Sequence, residues 1–301
     1  MKSITCPGLP ASWVNAWLAA VGATQLDSRI RLHWTEGYTP VAVFSADNVH
    51  PLGALVLSWP TREQIQELPL ANQWRSLPAM ERHVKVDDFA ARARAARSRP
   101  NSWTLSSTLT DLAVDKTGEV AHAPFDPAGP GTIKWLHHRL TKLHARLERL
   151  PEPVAILIEE SLAGRGTRVN ENGLGFDLAR LGSLADAAPK LTDPVVEVLA
   201  FFGLALLPVR GLGIDERDGA RGANAIQRGW FRTKGEGGKG SFFWPAWRQP
   251  LDSQGVDALL DVWKPAMKSG WRPLGVQAGW KTLAYRARDS EYTAGFGSQR
   301  L

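Results

Sequence analysis

A chain of 301 residues, 44% hydrophobic and 22% charged, has room for one large or two ordinary domains around a substantial core. Lysine and arginine outnumber aspartate and glutamate by 36 to 30, a formal net charge of +6 that favours polyanionic partners. One cysteine, Cys6, excludes an internal disulfide and a multi-cysteine zinc site. The absence of a signal-peptide core in MKSITCPGLPASW and of any apolar run longer than Val195–Val209 predicts a cytoplasmic chain with no membrane partner.

Trp13, Trp17, Leu18 and Val21 recur at helical spacing after Ser12, which predicts a helix over Trp13–Gln25. RIRLHW (Arg29–Trp34) and PVAVF (Pro40–Phe44) alternate and read as an antiparallel hairpin. Thr61 and Gln64 form a capping box for a short helix ending near Glu67. Asp87 is placed to cap a helix that Pro100 stops, and Leu109–Val114 and Val120–Phe125 flank DKTG as a second hairpin. Leucines and isoleucine repeat every three or four residues over Thr132–Leu150. That helix carries a basic stripe, Lys134, His138, Lys142, Arg146 and Arg149, on its other face. Such a stripe serves either as a solvated face or as a phosphate contact.

Pro151-Glu-Pro153 divides the chain into an N-terminal α+β half, residues 1–150, and a C-terminal one, residues 151–301, expected to pack as one body. VAILIE (Val154–Glu159) reads as a buried strand. Gly164–Gly175 is a long loop carrying Arg165 and Arg168. Asp193-Pro194 is an N-cap and first-turn pair opening a buried helix to about Gly203, and LALLPVR reads as a strand after it. A short helix follows Ser253, and Trp280–Arg288 is a basic alternating strand. Strands and helices mix without a βαβ rhythm, so the fold class is α+β, with ferredoxin-like (RRM-like) units carrying inserted hairpins and helices.

The most informative stretch is Arg221–Pro250. Two aromatic runs, around Trp230 and Trp244, flank the Gly-Lys loop Lys234–Gly240 and predict a β-hairpin with a long tip. Arg228, Arg232, Lys234, Lys239 and Arg248 line it, and cations beside flat rings suit single-stranded polynucleotide. The same aromatics would equally fill a core. Together with Arg165, Arg168, Lys134, Lys142 and Arg146, these residues make up the expected nucleic-acid interface.

Sites for chemistry are missing. GEGGKGS fails as a Walker loop, since Thr233 and Gly240 stand where glycine and a hydroxyl are required. No HEXXH, no His-Asp dipeptide, no ExK and no GxSxG occurs. His137 and His138 point about 100° apart on a helix and make no ligand pair. The histidines, His33 and His144 included, remain as bases for RNA cleavage in an enzymatic alternative. The expectation is no catalytic residue, no metal and no cofactor.

Three segments carry a resemblance. PASWVNAWLAAVGATQLDSRIRLHW (Pro10–Trp34) has a helix ending in an Ala-Val-Gly turn and a D-x-x-I-x-L-x-W strand. LGFDLARLGS (Leu174–Ser183) precedes DPVVEVLAFFGLALLPVR (Asp193–Arg210), and SFFWPAWRQPL (Ser241–Leu251) ends in a Trp-x-x-Pro-Leu stretch. They resemble an accessory subunit family of type I-U (I-G) CRISPR loci, and the first is also similar to the opening of the large subunit there. The second segment lacks that family's tryptophan before the aspartate. The resemblance implies a repeat-associated, ferredoxin-like subunit of a Cascade-like ribonucleoprotein in antiviral defence. Such a subunit would be RNA-binding or DNA-binding, contacting crRNA or target DNA beside other CRISPR effector subunits. The alternatives are a crRNA-processing ribonuclease and a protein–protein scaffold whose tryptophans sit in interfaces.

Overall fold

The computed structural model describes residues 1–66, 84–85, 119–120, 133–171, 173, 191–207, 209–211, 225–231, 241–286 and 293–301. They form an α+β fold with small antiparallel sheets. Strand β1 (Lys2–Pro10) leads into helix α1 (Val14–Leu26), and the hairpin β2 (Arg31–Trp34) and β3 (Val41–Ala46) follows. The sheet order is β1-β3-β2, with β3 antiparallel to both neighbours, so β1 and β2 run parallel on either side of it. The register of β1 against β3 slips between Cys6 and Pro10, where Pro7 and Pro10 have no N–H for the ladder. The displaced Pro7–Pro10 segment becomes one wall of the cleft described below.

Helix α1 has no charged residue, and Val14 through Thr24 are all buried; a helix apolar on every side belongs inside the protein. The helix matches the expected Trp13–Gln25 span to within a residue at each end, and the Ala20-Val21-Gly22 stretch of the resemblance lies inside it. Helix α1 packs most extensively on α6 (Pro194–Gly203). A Cβ on Gly22 would overlap the Leu199 carbonyl oxygen, and one on Gly203 the Leu18 carbonyl oxygen, so here two backbones meet directly. The Asp193 side chain accepts from the N–H groups of Val195 and Val196 at 3.0 and 3.2 Å, and Pro194 occupies the first turn, as the sequence predicts.

Helices α4 (Ile133–Leu147) and α5 (Val154–Leu162) pack on α6, while α2 (Pro51–Leu57) packs on α5 and β1, and α3 (Arg62–Gln66) on α4. The capping box of α3 forms reciprocally: Thr61 N–H donates to Gln64 Oε1 at 2.8 Å and Gln64 N–H to Thr61 Oγ1 at 3.3 Å. Helix α4 buries Leu140, Leu143 and Leu147 on the predicted face. Helix α5 corrects the strand expected at Val154–Glu159. Leu157, Ile158, Ser161 and Leu162 are buried while Ile156 is exposed, a one-sided helical pattern that a short apolar run does not reveal by periodicity. LALLPVR is corrected too: Leu204–Leu206 continues α6 as a 3-10 turn, and only Val209–Gly211 (β8) is strand.

The two-residue strands β4 (Val84–Lys85) and β5 (Glu119–Val120) pair with each other. The remainder of the expected 109–125 hairpin and the Asp87-capped helix lie outside the described residues. Strands β6 (Val169–Asn170) and β7 (Leu191–Thr192) form a short ladder, as do β8 and β9 (Ala225–Gln227). The second main sheet has the order β10-β11-β12-β13. Its strands are β10 (Trp230–Phe231), β11 (Ser241–Trp247), β12 (Val276–Arg286) and β13 (Thr293–Arg300). Helix α7 (Ser253–Val262), capped by Asp252, follows β11. The expected aromatic hairpin is present as the β10–β11 pair, Trp230 opposite Phe242; β1 and β13 are strands with no counterpart in the sequence expectation.

The sheets meet at Leu32 and Leu251, which exchange backbone bonds of 2.7 and 2.9 Å. One buried cluster includes Trp17 and Trp34 from the N-terminal half and Phe201, Trp244 and Trp247 from the C-terminal half. No helix among the described residues is long and apolar enough to cross a membrane.

Candidate nucleic-acid interface

The aromatic strand is a fastener. Residues 242–247 of β11 are all buried. The Trp244 indole donates to the Ala11 carbonyl at 2.7 Å and stacks against Phe242, 5.7 Å between centroids. Trp17 donates to the Pro245 carbonyl at 2.8 Å, and Trp247 to that of Leu32 at 2.9 Å. Three indole bonds thus join β11 to the first 35 residues. Pro245 fits because β10 pairs only at Ser241 and Phe242, leaving that side of β11 open further along. Trp244 therefore has no face for a base, and its expected role as a stacking platform is corrected. Trp230 is a β10 residue by its backbone. Arg232, Lys234 and Lys239 lie outside the described residues.

Arg228 is corrected in the same way. Its guanidinium is buried, bonds Asp257 and Asp261 one helical turn apart on α7, and donates to the Leu206 carbonyl at 2.9 Å. With Nη1 and Nη2 held by two carboxylates and a carbonyl and only a buried Nε left unbonded, the guanidinium is a tertiary clamp, closed to phosphate.

The loop after α5 gathers a second group. Gly8 and Gly164 touch backbone to backbone, and Gly166 lies against Asp193 and Ser161, where a Cβ would overlap the carboxylate. The β6–β7 ladder pairs Val169 with Thr192, which carries exposed Arg168 to Asp193. A cleft of about 230 Å³ opens here, lined by Pro7, Gly8, Trp13, Asn15, Arg168 and Asp193 among others. Ser161 Oγ donates to Asp193 Oδ1 at 3.0 Å. Burial raises the Asp193 carboxyl above its usual range, opposed by the Val196, Ser161 and Val195 hydrogen bonds and by the Arg168 charge. Below it, fully buried Glu197 accepts from Asn15 Nδ2 at 3.3 Å. The sequence marks Asp193 only as a helix cap and gives no signal for Ser161 or Asn15; the closely spaced Gly164 and Gly166 are the visible sign of close packing.

The basic face of α4 lies next to this loop. Arg146 pairs with Glu171 at 3.0 Å, and Glu171 is three residues from Arg168, a chain reach of roughly 11 Å. Lys142 is exposed with no ion pair among the described residues, and Lys134 belongs to α4 by its backbone. Arg165 pairs with Glu160 at 2.8 Å, which raises the guanidinium pKa and lowers that of the carboxyl. Arg248 stands apart, exposed and 3.5 Å from Glu36. The structure thus brings Lys142, Arg146, Arg165 and Arg168 to one region, while Arg228 and Trp244 are buried and Arg248 pairs with Glu36 at the β2–β3 turn.

Histidine geometry is equally specific. His144 is buried with Nε2 2.8 Å from the Pro60 carbonyl, and burial lowers the pKa of half-buried His33. Among the described residues no group of three His, Cys, Asp or Glu side chains is arranged to hold a metal. No family model, no curated protein and no solved structure matches this chain.

Proposed function

We propose that the chain is a non-catalytic, nucleic-acid-binding subunit of a CRISPR effector ribonucleoprotein, acting in the cytoplasm. Its ligand is crRNA or target DNA, and its protein partners are other effector subunits. The observation that carries the reading is the convergence of the α4 cations with the Arg165–Arg168 loop, on a chain of net charge +6. The ion pairs there, Arg146–Glu171 and Arg165–Glu160, involve exposed arginines, and exposed pairs are weak enough for a phosphate to compete. The three-segment resemblance supports the CRISPR setting. The β1-α1-β2-β3 order, with β3 between β1 and β2, is the arrangement of a split β-α-β half and supports the ferredoxin-like assignment.

The test is binding to single-stranded repeat RNA and DNA across a salt series, alone and in the assembled particle. Affinity is expected to fall steeply with salt, because each phosphate contact releases counterions. Equal affinity at low and high salt would sink the electrostatic interface. Site-specific cleavage of repeat RNA in EDTA, abolished by one His→Ala change, would replace this reading with the ribonuclease.

A further inference from the structure

With Trp244 inside the core, the base-stacking surface is to be sought elsewhere. Tyr38 is the only exposed large aromatic among the described side chains, at 83% of its full accessibility. It sits at the tip of the β2–β3 turn, where residues 36–39 are all exposed. The Arg300 guanidinium lies over its ring, 4.9 Å from the centroid, and also 5.8 Å from that of Trp280. Arg300 Nη1 donates to the Tyr38 carbonyl at 2.7 Å. Arg300 forms no ion pair among the described residues, and its cation backs one face of an open ring.

We propose that Tyr38, backed by Arg300, is a base-stacking platform for single-stranded polynucleotide. The inference rests on the nucleic-acid reading above and gives it a residue. Three features carry it. Every base has a π-face, and stacking beside a cation is how sequence-tolerant single-strand sites work. The turn is held at its feet: Thr35 N–H donates to the Val41 carbonyl at 3.0 Å, Ala11 N–H to that of Pro40 at 2.8 Å, and Gln277 Nε2 to that of Thr35 at 2.9 Å. A pinned turn presents the ring with little ordering left to do on binding. The surroundings also disfavour a protein hot spot, which needs an anchor ringed by contacts that exclude water. The immediate neighbours here are exposed Glu36, Gly37 and Thr39. Pro40, two residues on, is bonded to Ala11, whose neighbour Pro10 lines the Arg168 cleft, so platform and cleft flank the same end of β1.

The test uses the full chain at low salt with a single-stranded RNA carrying a fluorescent purine analogue. Tyr38→Ala and Tyr38→Phe are the variants, and melting curves are recorded for each. The wild type and Tyr38→Phe should quench the analogue. Tyr38→Ala should keep its melting temperature and lose roughly 5- to 150-fold in affinity. Unaltered affinity and quenching in Tyr38→Ala, with the wild type binding, would overturn the platform and leave the nucleic-acid function standing. Failure of the wild type to bind RNA or DNA in any setting would overturn both. Loss of a co-purifying effector subunit in Tyr38→Ala, with RNA affinity intact, would reassign the residue to a protein interface.

Discussion

Gly22 and Gly203 face each other where α1 crosses α6, and neither position has room for a Cβ. The added carbon would meet the Leu199 carbonyl on one side and the Leu18 carbonyl on the other. These are backbone atoms and cannot rotate away as a side chain would.

Gly22→Ala and Gly203→Ala should therefore each destabilise the fold by at least about 1–3 kcal/mol, the usual cost of overpacking. Gly53 in α2 is the control. A Cβ there meets nothing within 4 Å, and alanine should be neutral or stabilising by up to about 1 kcal/mol. Chemical denaturation of the three variants compares them directly; equal stability of Gly22→Ala and wild type would mean that the helices do not cross this closely.

Trp244 and Arg228 should behave as stability residues. Trp244→Ala should cost about 3–5 kcal/mol. Arg228→Met should cost less, about 1–3 kcal/mol, since Asp257 and Asp261 are each nearly half exposed and can rehydrate. RNA affinity per folded molecule should be unchanged in Arg228→Met. A selective loss of affinity at full stability would return Arg228 to the interface.

Asp193 should give a defined pH signature. Burial raises its folded-state pKa, so the native state holds this proton more tightly than the unfolded chain does. The stability tied to that proton is fully present below the unfolded value near 3.8 and is lost as the pH rises through the folded pKa. Asp193→Asn keeps an acceptor for the α6 N–H groups and has no such loss. Relative to wild type it should gain stability as the pH rises from the acid side. Asp193→Ala should lose the cap at every pH, by about 0.5–2 kcal/mol. Melting curves over an acid-to-neutral series read both effects; wild type gaining on Asp193→Asn would mean that its hydrogen bonds and Arg168 outweigh burial.

Cys6 should be unreactive in the native protein. It is fully buried, and burial pushes its thiol up to about 12, so almost no thiolate exists near neutral pH. A thiol-reactive disulfide reagent should label it only as fast as the fold opens, and fully in denaturant. Rapid native labelling at about pH 8 would place Cys6 at a mobile or exposed site.

The sequence by itself determined the elements whose signals are local. The Thr61–Gln64 box, the Asp193-Pro194 cap and the leucine repeat of α4 act within a few residues of themselves, and all formed where expected. The β10–β11 hairpin was legible for a similar reason, since two aromatic runs flanking a Gly-rich connection are neighbours in the chain. Only the tertiary structure decided which way VAILIE winds, because a six-residue apolar run suits a buried strand and a one-sided helix equally until its neighbours are known. It also decided which aromatics are core. Composition places thirteen tryptophans in the chain, but burial of Trp244 depends on Ala11, more than two hundred residues away. Arg228 and Arg168 look alike as sequence. One closes on Asp257 and Asp261, while the other lies beside Asp193 at a cleft, because the acids that meet each guanidinium are brought by the fold.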